Sequence, residues 1–323
     1  MFAQILKTGL LSIGIIFSLS GYTQLIDNIS TFKSVNNKSY FRFHYDNDYF
    51  TKTDYYYSQG VTVEYVHTGL KKFPVSKLLL KPGNSDTKYG ITFNLFGYTP
   101  TSISKSQILY GDRPYSSAMS IKFFAMGSDS IRQQRLASSL SIGILGPAAQ
   151  GQQIQTGIHR WLKNRLPQGW QHQIKNDILL NYQVNYEKKL FNTGNDFLLN
   201  ATAEARIGTV HDRVSGGINF MTGHFNDRYI SKQKRKKVEY YFFGQSRLNI
   251  IAYDATMQGG LFNKKSIYTI SSGDVERLTF QADGGVVFNF RKLFLTYTQS
   301  FITKEFRTGK YHRWGGISFG FSF

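Results

Sequence analysis

Apolar and polar residues alternate at every second position along most of the chain. The final stretch shows it most plainly. Gly315, Ile317, Phe319, Phe321 and Phe323 share one face of an extended chain, and Trp314, Gly316, Ser318, Gly320 and Ser322 share the other. Successive side chains of a strand point to opposite faces, so this period predicts a wall with one apolar and one polar side. The pattern recurs upstream. Leu278, Phe280, Ala282, Val286 and Phe288 alternate with Arg277, Thr279, Gln281, Asp283 and Asn289. Ile178, Leu180, Tyr182, Val184 and Tyr186 alternate with Leu179, Asn181, Gln183, Asn185 and Glu187. Arg, Gln, Asp and Glu on the inner face suit a polar lumen better than the dry core of a soluble sandwich, the second choice of fold. Roughly twelve such segments can be marked, at 40–47, 59–67, 88–98, 115–126, 137–145, 174–189, 197–210, 213–222, 238–252, 274–289, 292–303 and 311–323, and an even number is typical of bacterial single-chain barrels. The predicted fold is all-β, a twelve-stranded antiparallel transmembrane β-barrel.

Two segments break the alternation. In 150–163 the residues Ile154, Ile158, Trp161 and Leu162 recur at helical spacing, between Gly146-Pro147 and Pro167. Those residues are natural stops, so the spacing predicts a short amphipathic helix within a long loop. At the N-terminus, Lys7 precedes an apolar run from Gly9 to Leu19, followed by Ser20 and Gly21. This has the form of a secretory signal peptide, with 1–23 removed and 24–323 forming a single barrel domain. The run is short for a membrane-spanning helix, and an exported chain without such a helix is periplasmic, secreted or a closed barrel.

Composition adds three points. Phenylalanine (27) and tyrosine (21) far outnumber tryptophan (3), an aromatic excess that strands and membrane interfaces favour. No cysteine is present, which excludes disulfides, thiolate metal sites and cysteine lipidation. The formal net charge is +19, so the partner is anionic: nucleic acid, a membrane surface or a phosphorylated lipid.

Barrel parity then locates the chemistry. With both termini in the periplasm, each odd-to-even connection lies outside the cell. The first three outer connections hold the unusual residues: Asn47, Asp48 and Ser58 in the first, Lys105 and Asp112-Arg113 in the second, Gln155 and His159 on the loop helix in the third. Adjacent loops on one rim can bring a base, a carboxylate, a hydroxyl and a lysine into one cleft. That set fits ester hydrolysis, which needs an activated nucleophile, a base and an oxyanion stabiliser. Histidine is suited to the base role. Asp48 suits a hard cation, Lys105 or Ser58 an oxyanion, and Ser58 as nucleophile is the lesser option.

Several stretches taken together resemble the outer-membrane lipid A 3′-O-deacylases. They are Asn47-Asp48, Tyr57-Ser58-Gln59-Gly60, Asp112-Arg113-Pro114-Tyr115, Gly146-Pro147 with Gln155 and His159-Arg160, Gly169-Trp170-Gln171-His172-Gln173, and Thr303-Lys304-Glu305-Phe306. They run in order over nearly the whole mature chain. The resemblance implies an outer-membrane barrel that releases the ester-linked 3′ acyloxyacyl chain of lipid A through histidine-activated water assisted by calcium. It implies His159 as the catalytic histidine, Asn47 and Asp48 as the pair associated with metal and substrate carbonyl, Ser58 and Lys105 as site residues, and Gln155 as a polar neighbour. In one respect the chain departs from the family: 159–173 contains no Asp or Glu. The group that orients His159 is therefore a backbone carbonyl, Gln155 or a carboxylate from another loop.

Plainer roles compete at several positions. Asn-Asp after a strand commonly forms a turn. Asp112-Arg113 reads as a salt bridge holding a loop, and Trp170 as an anchor for the helix or rim. The basic run 232–237 falls at the periplasmic end and reads as a solvated turn, not a nucleic-acid site. Lys264, Lys265, Lys304, Arg307 and Lys310 on outer loops suit lipid A phosphates, and the chosen substrate contacts are Gln155, Lys264, Lys265 and Arg307. The expected molecule is a monomeric outer-membrane enzyme. A phospholipase on the same fold, and a non-catalytic porin or binding barrel, are the alternatives.

Overall fold

The computed structural model describes residues 29–35, 37–51, 55–83, 85–194, 196–229 and 236–323, apart from the side chains of Tyr49 and Phe50. The signal-peptide expectation and most of the basic run 232–237 lie outside these residues.

The described residues form twelve strands: β1 (Tyr40–Asn47), β2 (Tyr56–Val66), β3 (Asp86–Thr99), β4 (Ser116–Asp129), β5 (Gln134–Leu145), β6 (Asp177–Thr193), β7 (Phe197–Gly208), β8 (His211–His224), β9 (Val238–Asp254), β10 (Leu278–Phe290), β11 (Leu293–Ile302) and β12 (His312–Ser322). Each pairs antiparallel with its sequence neighbours, and β12 returns to β1, with Phe43 opposite Phe319 and Asp46 opposite Gly316. Closure leaves no open sheet edge, which a strand wall needs if it is to sit in lipid.

The inside and outside fall as the alternation predicts. On β12, Ile317, Phe319 and Phe321 are exposed outward, while Trp314, Ser318 and Ser322 are buried toward the lumen. The closing seam carries aromatic pairs on its outer face, Phe41 with Phe321 and Phe43 with Phe319. The sequence places β10 from 274, but it begins at Leu278, because the preceding polar residues serve the loop: Ser271 donates to Asp274, and Arg277 to the Ala252 and Ser272 carbonyls.

Charge-paired side chains occupy the lumen. Arg42 pairs with Glu64 at 2.6 Å. Glu204 receives Arg213 at 2.7 Å and Arg247 at 3.3 Å. Buried charges persist only where paired in this way. At one end the N-terminal 3₁₀ turn Thr31–Lys33 is threaded inside. Phe32 stacks on Phe243 at 4.4 Å, and its carbonyl accepts from Tyr241. Phe225 and Tyr229, from the β8–β9 connection, are buried beside it. A cavity of about 70 Å³ remains among Asn94, Phe96, Lys122, Leu179, Asn181 and Arg206, room for a few waters.

All odd-to-even connections share the rim opposite that plug. The β5–β6 loop there carries helix α1 (Gly151–Trp161), the helix that the sequence predicts. A second short helix, α2 (Ala255–Gln258), follows β9 and is buried at the same rim.

Candidate active site

The β5–β6 loop is fixed to the rim by close approaches. Gly146 has φ +99°, and a Cβ there would lie 2.6 Å from the Lys175 carbonyl carbon, so this turn needs glycine. Gly151 opens α1 against β4, where a Cβ would lie 2.4 Å from that of Ser117. One turn on, buried Gln155 accepts a 2.7 Å hydrogen bond from the indole of Trp170. The Trp170 ring packs on Tyr115 at 5.0 Å, and burial pushes the Tyr115 hydroxyl up to about 12. Trp170 therefore anchors the helix, as the sequence suggests.

His159 follows Gln155 by four residues, so the anchored and histidine-bearing positions lie on one side of α1. After the helix Lys163 adopts φ +55°, and the chain turns back until the Arg165 carbonyl lies 2.5 Å from His159 Nδ1. A carbonyl only accepts, so Nδ1 carries the hydrogen and, in the neutral ring, Nε2 carries the lone pair. His159 is half-buried. Of the three candidate orienting groups, the one in place is a backbone carbonyl, which compensates for the acid that this loop lacks.

The β3–β4 loop runs alongside. Gln168 N donates to the Ile103 carbonyl at 2.8 Å, and Gln171 and His172 both donate to the Ser106 carbonyl. Lys105, exposed, lies between those two attachment points. The Nε2 of His172 is used on Ser106, and its Nδ1 is enclosed without a hydrogen-bond partner. It also lines a narrow cleft with Leu109, Tyr115 and Gly169.

The β1–β2 loop carries the remaining candidates. Asn47 Nδ2 donates to the Ser58 carbonyl at 2.6 Å, and Ser58 Oγ meets Thr99 Oγ1 at 2.5 Å. Ser58 falls at the register shift between Tyr57 and Gln59, a bulge that re-aims a side chain. Asn47, Ser58 and Thr99 thus form one hydrogen-bonded run that ends where the Lys105 loop begins, and no hydrogen bond among the described residues joins it to His159. Buried Asp48 opens the 3₁₀ turn Asp48–Thr51. Asn47 and Asp48, adjacent in the chain, bring an amide oxygen and a carboxylate to this turn. These are oxygen donors of the kind that a hard cation such as calcium takes. Among the described residues no three His, Asp or Glu side chains cluster, so a cation held here would complete its shell with backbone or water oxygens.

The outer-loop cations are arranged differently. Lys264 and Lys265 are exposed on the β9–β10 connection, and exposed Arg307 pairs with Asp274 at 2.9 Å. Arg113 does not bridge Asp112 through its side chain. Asp112 binds the Thr101 backbone and hydroxyl, whereas Arg113, fully buried, pairs with Glu305, donates to Thr256 at 2.8 Å and lies 3.9 Å over the Tyr98 ring. A fixed guanidinium with a carboxylate partner on another loop is the more rigid tie, and it accounts for the Thr303–Phe306 stretch. Sequence reasoning also passed over a buried trio on the seam, in which His44 contacts Ser318 at 2.8 Å and Asp46 at 2.7 Å.

A family described as "Outer membrane protein LpxR" matches residues 13–323 of the chain. No curated protein matches it in sequence. Among solved structures, LpxR from Salmonella typhimurium is similar at 17% identity and a TM-score of 0.72, covering 88% of this chain and 100% of that one. The β domain of the Bordetella autotransporter BrkA follows at 8% identity and a TM-score of 0.44, covering 90% and 100%. The NanC porin gives 5% identity and a TM-score of 0.39, covering 88% and 98%.

Proposed function

The chain belongs to the LpxR family of outer-membrane proteins, and from that premise we propose that it is a lipid A 3′-O-deacylase with His159 as its general base. The observation that carries the reading is the 2.5 Å contact of His159 Nδ1 with the Arg165 carbonyl, which leaves Nε2 as the basic nitrogen on a half-buried side chain. Only a neutral imidazole with an accessible lone pair can take a proton from water.

In this mechanism Nε2 accepts a proton as water attacks the ester carbonyl. The carbonyl π pair moves to oxygen, where the exposed Lys105 ammonium donates to the oxyanion. Collapse of that intermediate breaks the bond to the sugar oxygen, and the proton on Nε2 passes to the leaving alkoxide. The products are the free acyloxyacyl acid and the 3′ hydroxyl of the glycolipid. Asn47 and Asp48 would hold calcium, which when bound polarises the ester carbonyl. Ser58 acts by positioning, since its hydroxyl is bonded to Thr99. Exposed Lys264 and Lys265 and the Asp274-paired Arg307 suit the substrate's phosphates, and the enzyme works as a monomer.

The filled lumen argues against a porin. The decisive assay incubates the purified protein with lipid A and, separately, with phospholipid, and reads the products by mass spectrometry. Loss of one acyloxyacyl unit from lipid A alone is expected. Cleavage of phospholipid alone would assign the barrel to the phospholipases, and no cleavage of either would leave a binding protein.

A further inference from the structure

The C-terminal end of α1 is built unlike the rest of the loop. Trp161 is 82% exposed and Leu162 50% exposed, although both are large apolar side chains. Around them Arg160, Lys163 and Arg165 are exposed as well. From Gly146 to Gln173 the sequence contains no Asp or Glu that would balance those charges. The loop then re-enters the barrel at β6, whose first outward residues, Ile178 and Leu180, belong to the apolar outer wall. The exposed pair therefore sits on the loop that leads into the wall that meets acyl chains.

We propose that Trp161 and Leu162 insert into the outer leaflet as an anchor, with Arg160, Lys163 and Arg165 gripping its phosphate layer. Tryptophan and leucine flanked by cations, with no acid nearby, are the composition of a segment lying at a membrane interface. The long cationic side chains can reach the headgroups while the apolar pair is submerged. A water-facing loop gains nothing from exposing an indole, and an acidic protein partner would account for the cations but not for the exposed apolar pair on a loop that leads into the lipid-facing wall. Leu162 is three residues from His159, so an anchor here sets the depth of the histidine relative to the ester-bearing layer.

The chain has three tryptophans, and Trp170 and Trp314 are only 1% and 0% exposed, so the emission that differs between wild type and Trp161→Phe reports on the proposed anchor. The full-length barrel is reconstituted in phosphatidylcholine vesicles with brominated acyl chains, with and without phosphatidylglycerol. The expected result is loss of most of the Trp161 emission to lipid bromine, a greater loss with the anionic lipid, and little quenching by aqueous acrylamide. Emission quenched by acrylamide and untouched by bromine would overturn the anchor, as would emission shielded from both. Equal bromine quenching with and without phosphatidylglycerol would overturn the grip of the cations on phosphate. None of these readings uses turnover, so failure of the anchor and failure of the enzymatic reading remain distinct.

Discussion

Two histidines of this barrel make opposite use of their nitrogens. His44, inside the wall, has both occupied: Nδ1 meets Ser318 and Nε2 meets Asp46, with all three residues at 2% exposure or less. His159, on the rim, is held at Nδ1 by the Arg165 carbonyl and is half-buried. The first looks more like the Ser-His-Asp constellation of a hydrolase and is the less able to act as one, because no ester reaches Ser318. The second lacks a carboxylate and still has its tautomer set. Access and an unspent nitrogen, and not the residue list, separate a catalytic histidine from a structural one. The same division runs through the described residues: lumen charges hold the barrel, and the proposed site lies among rim groups.

That division can be broken experimentally. The largest effect is expected from metal removal. Chelation should abolish hydrolysis and added calcium restore it, with Asp48→Ala losing most activity while the barrel stays folded. Full turnover in chelator would take the cation out of the mechanism. Next is a lumen change: Glu204→Ala strands Arg213 and Arg247 and should destabilise the barrel by about 3–5 kcal/mol, read from denaturant unfolding, with turnover of the folded fraction unchanged. A rate loss at unaltered stability would contradict the division. Lys105→Ala should lower kcat by about 10²–10³-fold if its ammonium stabilises the oxyanion, with little effect on unfolding. Smallest is Ser58→Ala, which removes the hydrogen bond to Thr99 at a cost of about 1 kcal/mol and should leave turnover within roughly tenfold. A loss of several orders of magnitude would make Ser58 the nucleophile.

The strands were legible because the lumen is polar and the outer face apolar, so a period of two survives in the sequence wherever both faces exist. β1 was located to the residue. The loop helix was legible because Ile154, Ile158 and Leu162 keep its spacing between glycine and proline stops. What was not legible depends on long-range meetings. Phe32 finds Phe243 only after the barrel closes over it. Arg113 finds Glu305 across 192 residues, so the adjacent Asp112 looked like its partner. Which of three candidate groups orients His159 was not legible either. A backbone carbonyl has no residue signature, and the turn that delivers it uses a lysine, not a glycine, at positive φ. The two 3₁₀ turns between β2 and β3, Thr68–Lys72 and Pro74–Leu78, also carried no periodicity to read.

The most direct test of the account compares hydrolysis of lipid A by wild type, His159→Asn, His172→Ala and His44→Asn, each scored for acyl release by mass spectrometry and for folding by circular dichroism. His159→Asn should lower the rate by about 10²–10⁴-fold with the barrel intact, since a positioned base contributes that much. His172→Ala should keep most activity, because its remaining nitrogen is enclosed, and His44→Asn should affect stability before rate. Wild-type turnover by His159→Asn, with activity lost instead in His172→Ala or His44→Asn, would contradict the account.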